Sequence, residues 1–193
     1  IESDHVDSYI NRGRAYGNIG QSRKAIADFN EALRLDSKSA LAFINRGVAY
    51  VKMVEYDNAI LDLDEAISLD PSDARAYANR GYAHDKLGEF DAAIADYSRA
   101  IRLDPDDSWS YPKRGYLYAR LGEVQNAVDD YTNAIRLDPD DVWAYRNRGF
   151  IYKQTRQWEA ALSDINEVVR RDPGDVMAYR NRGLVYSNLG QYG

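Results

Sequence analysis

The chain of 193 residues has no cysteine and only two histidines. Without thiols there is neither a disulfide framework nor a thiolate zinc site; the absence accords with a reducing cytoplasm, but many exported bacterial proteins share it, so the compartment stays open with the cytoplasm slightly favoured. His5 and His84 lie far apart in the sequence and make no metal site between them. No run of about 18 apolar residues occurs, which argues against a membrane-spanning helix. No charged-then-apolar leader opens the chain, although its first residue is Ile1 and not methionine, which leaves a removed leader open. Positive charge is also lacking. The formal net charge of -6 speaks against a general nucleic-acid binder, whose domain is normally basic. No nucleophile stands with a base, and no glycine-rich phosphate loop follows a strand, so neither an enzyme nor a cofactor is expected.

What the sequence does have is a period. An Arg-Gly pair recurs at Arg12-Gly13, Arg46-Gly47, Arg80-Gly81, Arg114-Gly115, Arg148-Gly149 and Arg182-Gly183, every spacing being 34 residues. Fixed periods of this length mark repeat architectures, in which one supersecondary unit stacks on the next. Counting each Gly as the eighth position gives units 6–39, 40–73, 74–107, 108–141 and 142–175 and a partial unit 176–193.

Each unit reads as two helices. Apolar and small residues follow helical spacing twice per unit. The first helix stops at Gly20, Gly88, Gly122 and Gly190, where a left-handed cap costs least, with Val54 and Arg156 in the same place in units two and five. The second stops before Pro71, Pro105, Pro139 and Pro173, which cannot donate the next hydrogen bond. Ser39, Asp73, Asp107, Asp141 and Asp175 stand where an N-cap should accept the first free backbone N–H groups. Pro112 predicts a late or bent start in unit four. Gly13 and its counterparts face Ala25, Ala59, Ala93, Ala127 and Ala161, which lets paired backbones approach closely. Phe29, Leu63, Tyr97, Tyr131 and Ile165 complete the core, with a stripe of Tyr and Phe on the first helices. His84 takes a core Tyr position and is expected to be packed. About eleven helices and one domain over residues 1–193 are expected.

These residues resemble the tetratricopeptide repeat (TPR) family, from about Val6 to Tyr192. The resemblance implies an all-α, right-handed α-solenoid of helical hairpins whose first helices line a concave groove that binds protein segments. One departure is systematic: the family usually has Leu before the Gly, and this chain has Arg in all six units. Each complete unit also carries an Asp in its second helix, at Asp28, Asp62, Asp96, Asp130 and Asp164. A ladder of Arg–Asp pairs is therefore expected in preference to an anion-binding row of arginines.

The resemblance also assigns groove positions. They hold Arg14, Lys52, Arg75, Lys86, Lys113, Arg120, Arg146, Lys153 and Arg180 against only Asp7 and Asp85, so the acid of the chain lies elsewhere. A basic groove would attract an acidic peptide segment, chiefly through steering and orientation. Asn45, Asn79, Asn147 and Asn181 offer carboxamides that can pair with an extended peptide backbone, with Asn11 as a fifth; local helix packing is the alternative for them. Trp109, Trp143, Tyr82, Tyr116 and Phe150 add residue types that dominate protein interfaces and place the docking centre in units three to five. Two other functions compete: single-stranded RNA binding in a basic, aromatic groove, which the net charge disfavours, and self-association through the partial C-terminal unit, whose Tyr179 and Tyr186 lack a covering second helix.

Overall fold

The computed structural model describes residues 2–190, with side chains from His5 onward. Ile1 and residues 191–193, which end the partial sixth unit and include Tyr192, lie outside the described residues. Eleven helices and no strand occur among the described residues: α1 (Glu2–Asn18), α2 (Ser22–Leu35), α3 (Ala40–Lys52), α4 (Tyr56–Leu69), α5 (Ala74–Leu87), α6 (Phe90–Leu103), α7 (Ser110–Arg120), α8 (Val124–Leu137), α9 (Val142–Gln154), α10 (Trp158–Arg171) and α11 (Val176–Asn188). None is long and apolar enough to cross a membrane. They form two compact units, Ile1–Pro105 with α1–α6 and Asp106–Gly193 with α7–α11. In each unit the first and second helix of a repeat pack most extensively, and every second helix packs on the first helix that follows it within the unit.

Helix starts follow from capping chemistry. The side chains of Ser39, Asp73, Asp141 and Asp175 accept hydrogen bonds from backbone N–H groups of the next helix, as at Asp175 Oδ1 from Met177 and Ala178 at 2.9 and 3.0 Å. Unit four differs. Asp107 accepts from the Trp109 N–H at 3.0 Å and from the Ser110 hydroxyl, and α7 begins only at Ser110. Pro112 then falls in the first turn, where its missing N–H had no helical partner to lose.

Helix ends are set by one repeated motif. The N–H two or three residues past the first helix of each complete repeat returns to a carbonyl five residues back: Gln21 to Tyr16, Glu55 to Tyr50, Glu89 to His84, Glu123 to Tyr118 and Gln157 to Tyr152, at 2.8–3.0 Å. That closure requires a left-handed residue between them. Glycine supplies it at Gly20, Gly88 and Gly122, whereas Val54 (φ 64°) and Arg156 (φ 59°) are held there against the preference of an L side chain.

The core is small-against-large. Ala25, Ala59, Ala93, Ala127 and Ala161 are fully buried, as are Leu63, Tyr97 and Tyr131. A Cβ added at Gly81 would stand 3.2 Å from the Ala93 carbonyl oxygen, and one at Gly47 would stand 2.9 Å from Leu63 Cγ, so the helices of a hairpin meet backbone to side chain with no spare room. His84 is half-buried and is more than packing: its Nδ1 lies 2.5 Å from Glu89 and its Nε2 3.8 Å from Asp96.

The Arg–Asp ladder is present in all five complete repeats. Arg12, Arg46, Arg80, Arg114 and Arg148 each donate through Nε and Nη2 to the two oxygens of Asp28, Asp62, Asp96, Asp130 and Asp164, at 2.7–2.9 Å. The third nitrogen reaches back to the preceding second helix, from Arg46 to Asn30 (2.6 Å), Arg80 to Asp64 (2.5 Å) and Arg148 to Thr132 (2.9 Å). Each guanidinium also lies 4.9–6.0 Å from the ring of the aromatic three residues before it, from Tyr9 to Tyr179. The ladder arginines are thereby committed to structure. Burial pushes the Asp130 carboxyl above the usual carboxylate range even beside Arg114, as expected where desolvation offsets much of the ion-pair attraction.

Two stability measurements follow. Val54 is 68% exposed, so Val54→Gly forfeits little packing and should raise unfolding stability by about 1 kcal/mol in urea titration by relieving the left-handed strain. Asp164→Ala should cost about 3 kcal/mol by stranding a buried guanidinium. The double replacement Arg148→Met with Asp164→Leu should recover most of that loss.

Candidate functional site

First helices carry the predicted groove residues, and the structure sorts them into three groups. The asparagines are partly used: Asn45, Asn79 and Asn147 each donate Nδ2 to the carbonyl of the residue four before, Leu41, Arg75 and Trp143, at 2.7 Å. This back-bond fixes the carboxamide against its own helix and leaves its oxygen and second N–H as the groups a partner could use. Asn181 instead accepts from Lys153 Nζ at 2.7 Å.

The cations are the second group, and the sequence tally overstates their charge. Arg75 is closed onto the N-cap Asp73, with a shortest contact of 2.5 Å, and this pairing holds the Asp73 carboxyl below the usual range. Arg146 lies 2.8 Å from Asp175 and 3.5 Å from Asp172, while Lys86 lies 3.3 Å from Asp85. In each case an N-cap or other nearby carboxylate reaches one of these cations, from two residues away at Arg75 and from 29 away at Arg146. Lys153 behaves oppositely. Burial and the charge of Arg180 push its amine below the usual lysine value, and it forms no ion pair among the described residues. In the second compact unit, Lys153 and Arg180 are therefore positive charges close enough to act on one another.

Aromatics form the third group. In the first unit, Tyr82 is half-buried under Lys86, whose Nζ lies 4.8 Å from the ring centroid. In the second unit Trp109 and Tyr116 are about two-fifths exposed and Phe150 slightly more. Lys113 lies over Trp109 (5.9 Å) and Trp143 (5.1 Å), Arg120 over Tyr116 (5.9 Å) and Lys153 over Phe150 (4.8 Å). Trp143 is half-buried, edge-on to Tyr131 at 5.7 Å and tilted on Tyr116 at 5.9 Å, so it is largely a packing residue that supports the others.

Between α7 and α9 these residues enclose a hollow of about 250 Å³, walled by Tyr116, Arg120, Asn147, Phe150 and Ile151 and floored by Tyr131 of α8. The Tyr131 ring is fully buried, its hydroxyl makes no hydrogen bond among the described residues, and burial raises its pKa above the usual tyrosine value. Phe150 also borders a smaller cavity of about 40 Å³ that reaches Lys153, Asn181 and Met177 and is lined as well by the paired Arg146 and Asp175. Sequence reasoning did not single out Tyr131 and Ile151, which line the hollow, Met177, which lines the smaller cavity, or the exposed Leu184. Met177 and Leu184 are exposed on α11 in the registers of Trp143 and Phe150, and that shared register was the available signal. Tyr131 and Ile151 sit at core-facing positions, which gave none. Among the described residues no three His, Cys, Asp or Glu stand close enough together to hold a metal ion.

Comparisons with known proteins fit this architecture. Family models described as TPR repeat match residues 13–54, 55–88 and 115–155, and one described as tetratricopeptide repeat matches 74–107. Together they span more than half of the sequence, and the chain belongs to the tetratricopeptide repeat family; its fold is the all-α TPR solenoid. Proteins of this family are protein–protein interaction scaffolds, typically without catalytic activity. Among solved structures, MamA is 25% identical with a TM-score of 0.76, covering 83% of this chain and 94% of its own. YrrB, described as a TPR protein with an unusual peptide-binding site, is 23% identical with a TM-score of 0.74, covering 91% and 90%. PilF of Pseudomonas aeruginosa is 17% identical with a TM-score of 0.88, covering 98% and 86%. No curated protein matches the sequence.

Proposed function

We propose that the first helices of the second compact unit, α7, α9 and α11, bind an extended acidic peptide segment of a partner protein. The observation that carries this reading is the run of exposed aromatics each overlain by a cation, Trp109 with Lys113, Tyr116 with Arg120 and Phe150 with Lys153, with the charge of Arg180 acting on Lys153. Rings supply apolar area that a bound chain can cover, and cations set which chains approach and how they orient. The oxygen and second N–H of the Asn147 carboxamide can then meet the backbone of the segment, which is how a groove holds a chain without reading every side chain. In the first unit, Arg75 and Lys86 already have carboxylate partners, which is why the second unit is the centre of the proposal.

The expected outcome is measurable by fluorescence anisotropy at about 0.15 M salt. A glutamate-rich 12-residue peptide should bind about tenfold or more tightly than the same peptide with lysines in place of the glutamates, and Arg180→Glu should remove most of that difference. Binding indifferent to peptide charge, or preferential binding of single-stranded RNA, would overturn the reading.

A second reading, pairing with another copy of the chain, is supported by α11. Tyr179 there is 44% exposed, and among the described residues a Cβ added at Gly183 would meet nothing within 4 Å, in contrast to the equivalent glycines of the complete repeats. If this face pairs, sedimentation should show the mean mass rising with concentration, and Tyr179→Glu should hold the protein monomeric. A strict monomer over a wide concentration range sinks this reading and leaves the first intact.

A further inference from the structure

The hollow beneath Tyr116 and Phe150 and the cation pair beside Phe150 are two different kinds of site separated by one side chain. Phe150 borders both: the hollow of about 250 Å³ lies on one side of it, and Lys153, with its Nζ 4.8 Å from the ring centroid, on the other. We propose that this arrangement reads a two-part motif in the acidic segment, one large apolar side chain seated in the hollow and one carboxylate held by Lys153 and Arg180. The inference rests on the peptide-binding reading above and adds to it what the segment must contain.

The chemistry of the walls selects the first part. Tyr116, Phe150, Ile151 and Val124 present rings and aliphatic groups, and no residue lining the hollow is acidic. The volume suits a side chain of phenylalanine or leucine size, which covers the exposed faces of Tyr116 and Phe150 and gains from leaving water. An aromatic occupant would have the rings of Tyr116 and Phe150 among its walls. The floor adds a constraint. The Tyr131 hydroxyl lies beneath the accessible surface without a partner, so it is not presented to an incoming side chain, and a polar group pushed against that floor would lose its water without compensation. The hollow thus favours an apolar occupant over a glutamate, even in a segment that is otherwise acidic.

Charge selects the second part. Lys153 is oriented by its hydrogen bond to Asn181 Oδ1 at 2.7 Å, half-buried, and next to Arg180. Two adjacent cations repel one another, and a carboxylate placed between them converts that repulsion into two attractions. The contrast with Arg146 is informative: it stands in the same region with Asp175 and Asp172 already against it and has no comparable need. Since one ring separates hollow and cation pair, an extended segment spans them in about two residues at roughly 3.3 Å per residue.

The test uses the full chain and labelled 12-residue acidic peptides: a single Phe two residues before or two residues after a designated Glu, the matching pair with Ala for Phe, and the better Phe peptide with Gln for that Glu. The better Phe peptide should bind about tenfold more tightly than its Ala counterpart, and a ratio below fivefold in both orders overturns the proposal. Ala119→Phe, which fills the hollow, should abolish the Phe preference while leaving the dependence of binding on salt unchanged; its helical circular dichroism checks folding. Lys153→Gln provides the reciprocal arm, in which the Phe preference persists and replacement of the designated Glu by Gln no longer matters. If acidic peptides bind without any preference for Phe, the two-part motif fails and the peptide-binding reading survives. If no acidic peptide binds at all, both fail.

Discussion

A guanidinium gripping a carboxylate with two parallel hydrogen bonds organises each repeat. Hydrophobic contact between two helices is close to non-directional, and a hairpin whose interface is glycine, alanine and one large side chain could rotate about its long axis at modest cost. The Arg–Asp fork removes that freedom, because planar bidentate geometry tolerates little rotation. In units two, three and five the remaining nitrogen ties the same arginine to the preceding hairpin, at Asn30, Asp64 and Thr132. One side chain thus fixes the rotation of its own helix, its partner within the hairpin, and the stacking of one hairpin on another inside the compact unit. Net stability is a poor account of why such a pair is kept, since desolvating both charges consumes most of what their attraction returns. Register is the better account: an apolar residue at this position would pack in several rotations, and the fork in one.

The groove inherits its order from that register. With the arginine directed into the hairpin, the residue one before it and the residue two after it, three apart and so neighbours on the helix surface, emerge together on the face turned away from it, which is where Asn147 and Phe150 line the same hollow. The carboxamide is fixed by its bond to the carbonyl four residues back, and the ring by the lysine above it. The hollow therefore has walls whose positions are determined before any ligand arrives, which lowers the entropy a partner must surrender on binding.

The helices, caps and ladder were legible in the sequence because each depends on residues within one 34-residue period, and sixfold repetition separates a rule from an accident. Even the left-handed ends at Val54 and Arg156 were visible, since they occupy the glycine position of other units. Groove charge was less legible. Arg75 and Arg146 count as positive in a tally, yet Asp73 and Asp175 are N-cap residues whose second oxygen is available to a nearby guanidinium, so capping and neutralisation are one event. The pairing of Asp73 with Arg75 is local and could have been anticipated; that of Arg146 with Asp175 crosses one repeat and could not. Trp143 misleads for another reason. Its position marks it as exposed, and its neighbours Tyr131 and Tyr116 are large enough to bury half of it. Tyr131 shows the limit most clearly: a core position gives no sign that its ring forms the floor of a hollow.

Position nine of the repeat explains why recognition should be unevenly distributed along the chain. It reads Arg14, Val48, Tyr82, Tyr116, Phe150 and Leu184, so apolar size appears only from the third unit onward. Cations are spread more evenly, but they act through water and salt that screen them beyond about 8 Å, and they are good at raising the frequency and improving the orientation of encounters with many acidic chains. They are poor at telling those chains apart. A walled apolar hollow does the opposite: it contributes little until a side chain enters, and then it slows departure. Affinity differences among related partners reside mainly in dissociation, so under the proposed function the choice between acidic segments would fall to the unit that has the hollow, and the cations would set how often the choice is offered.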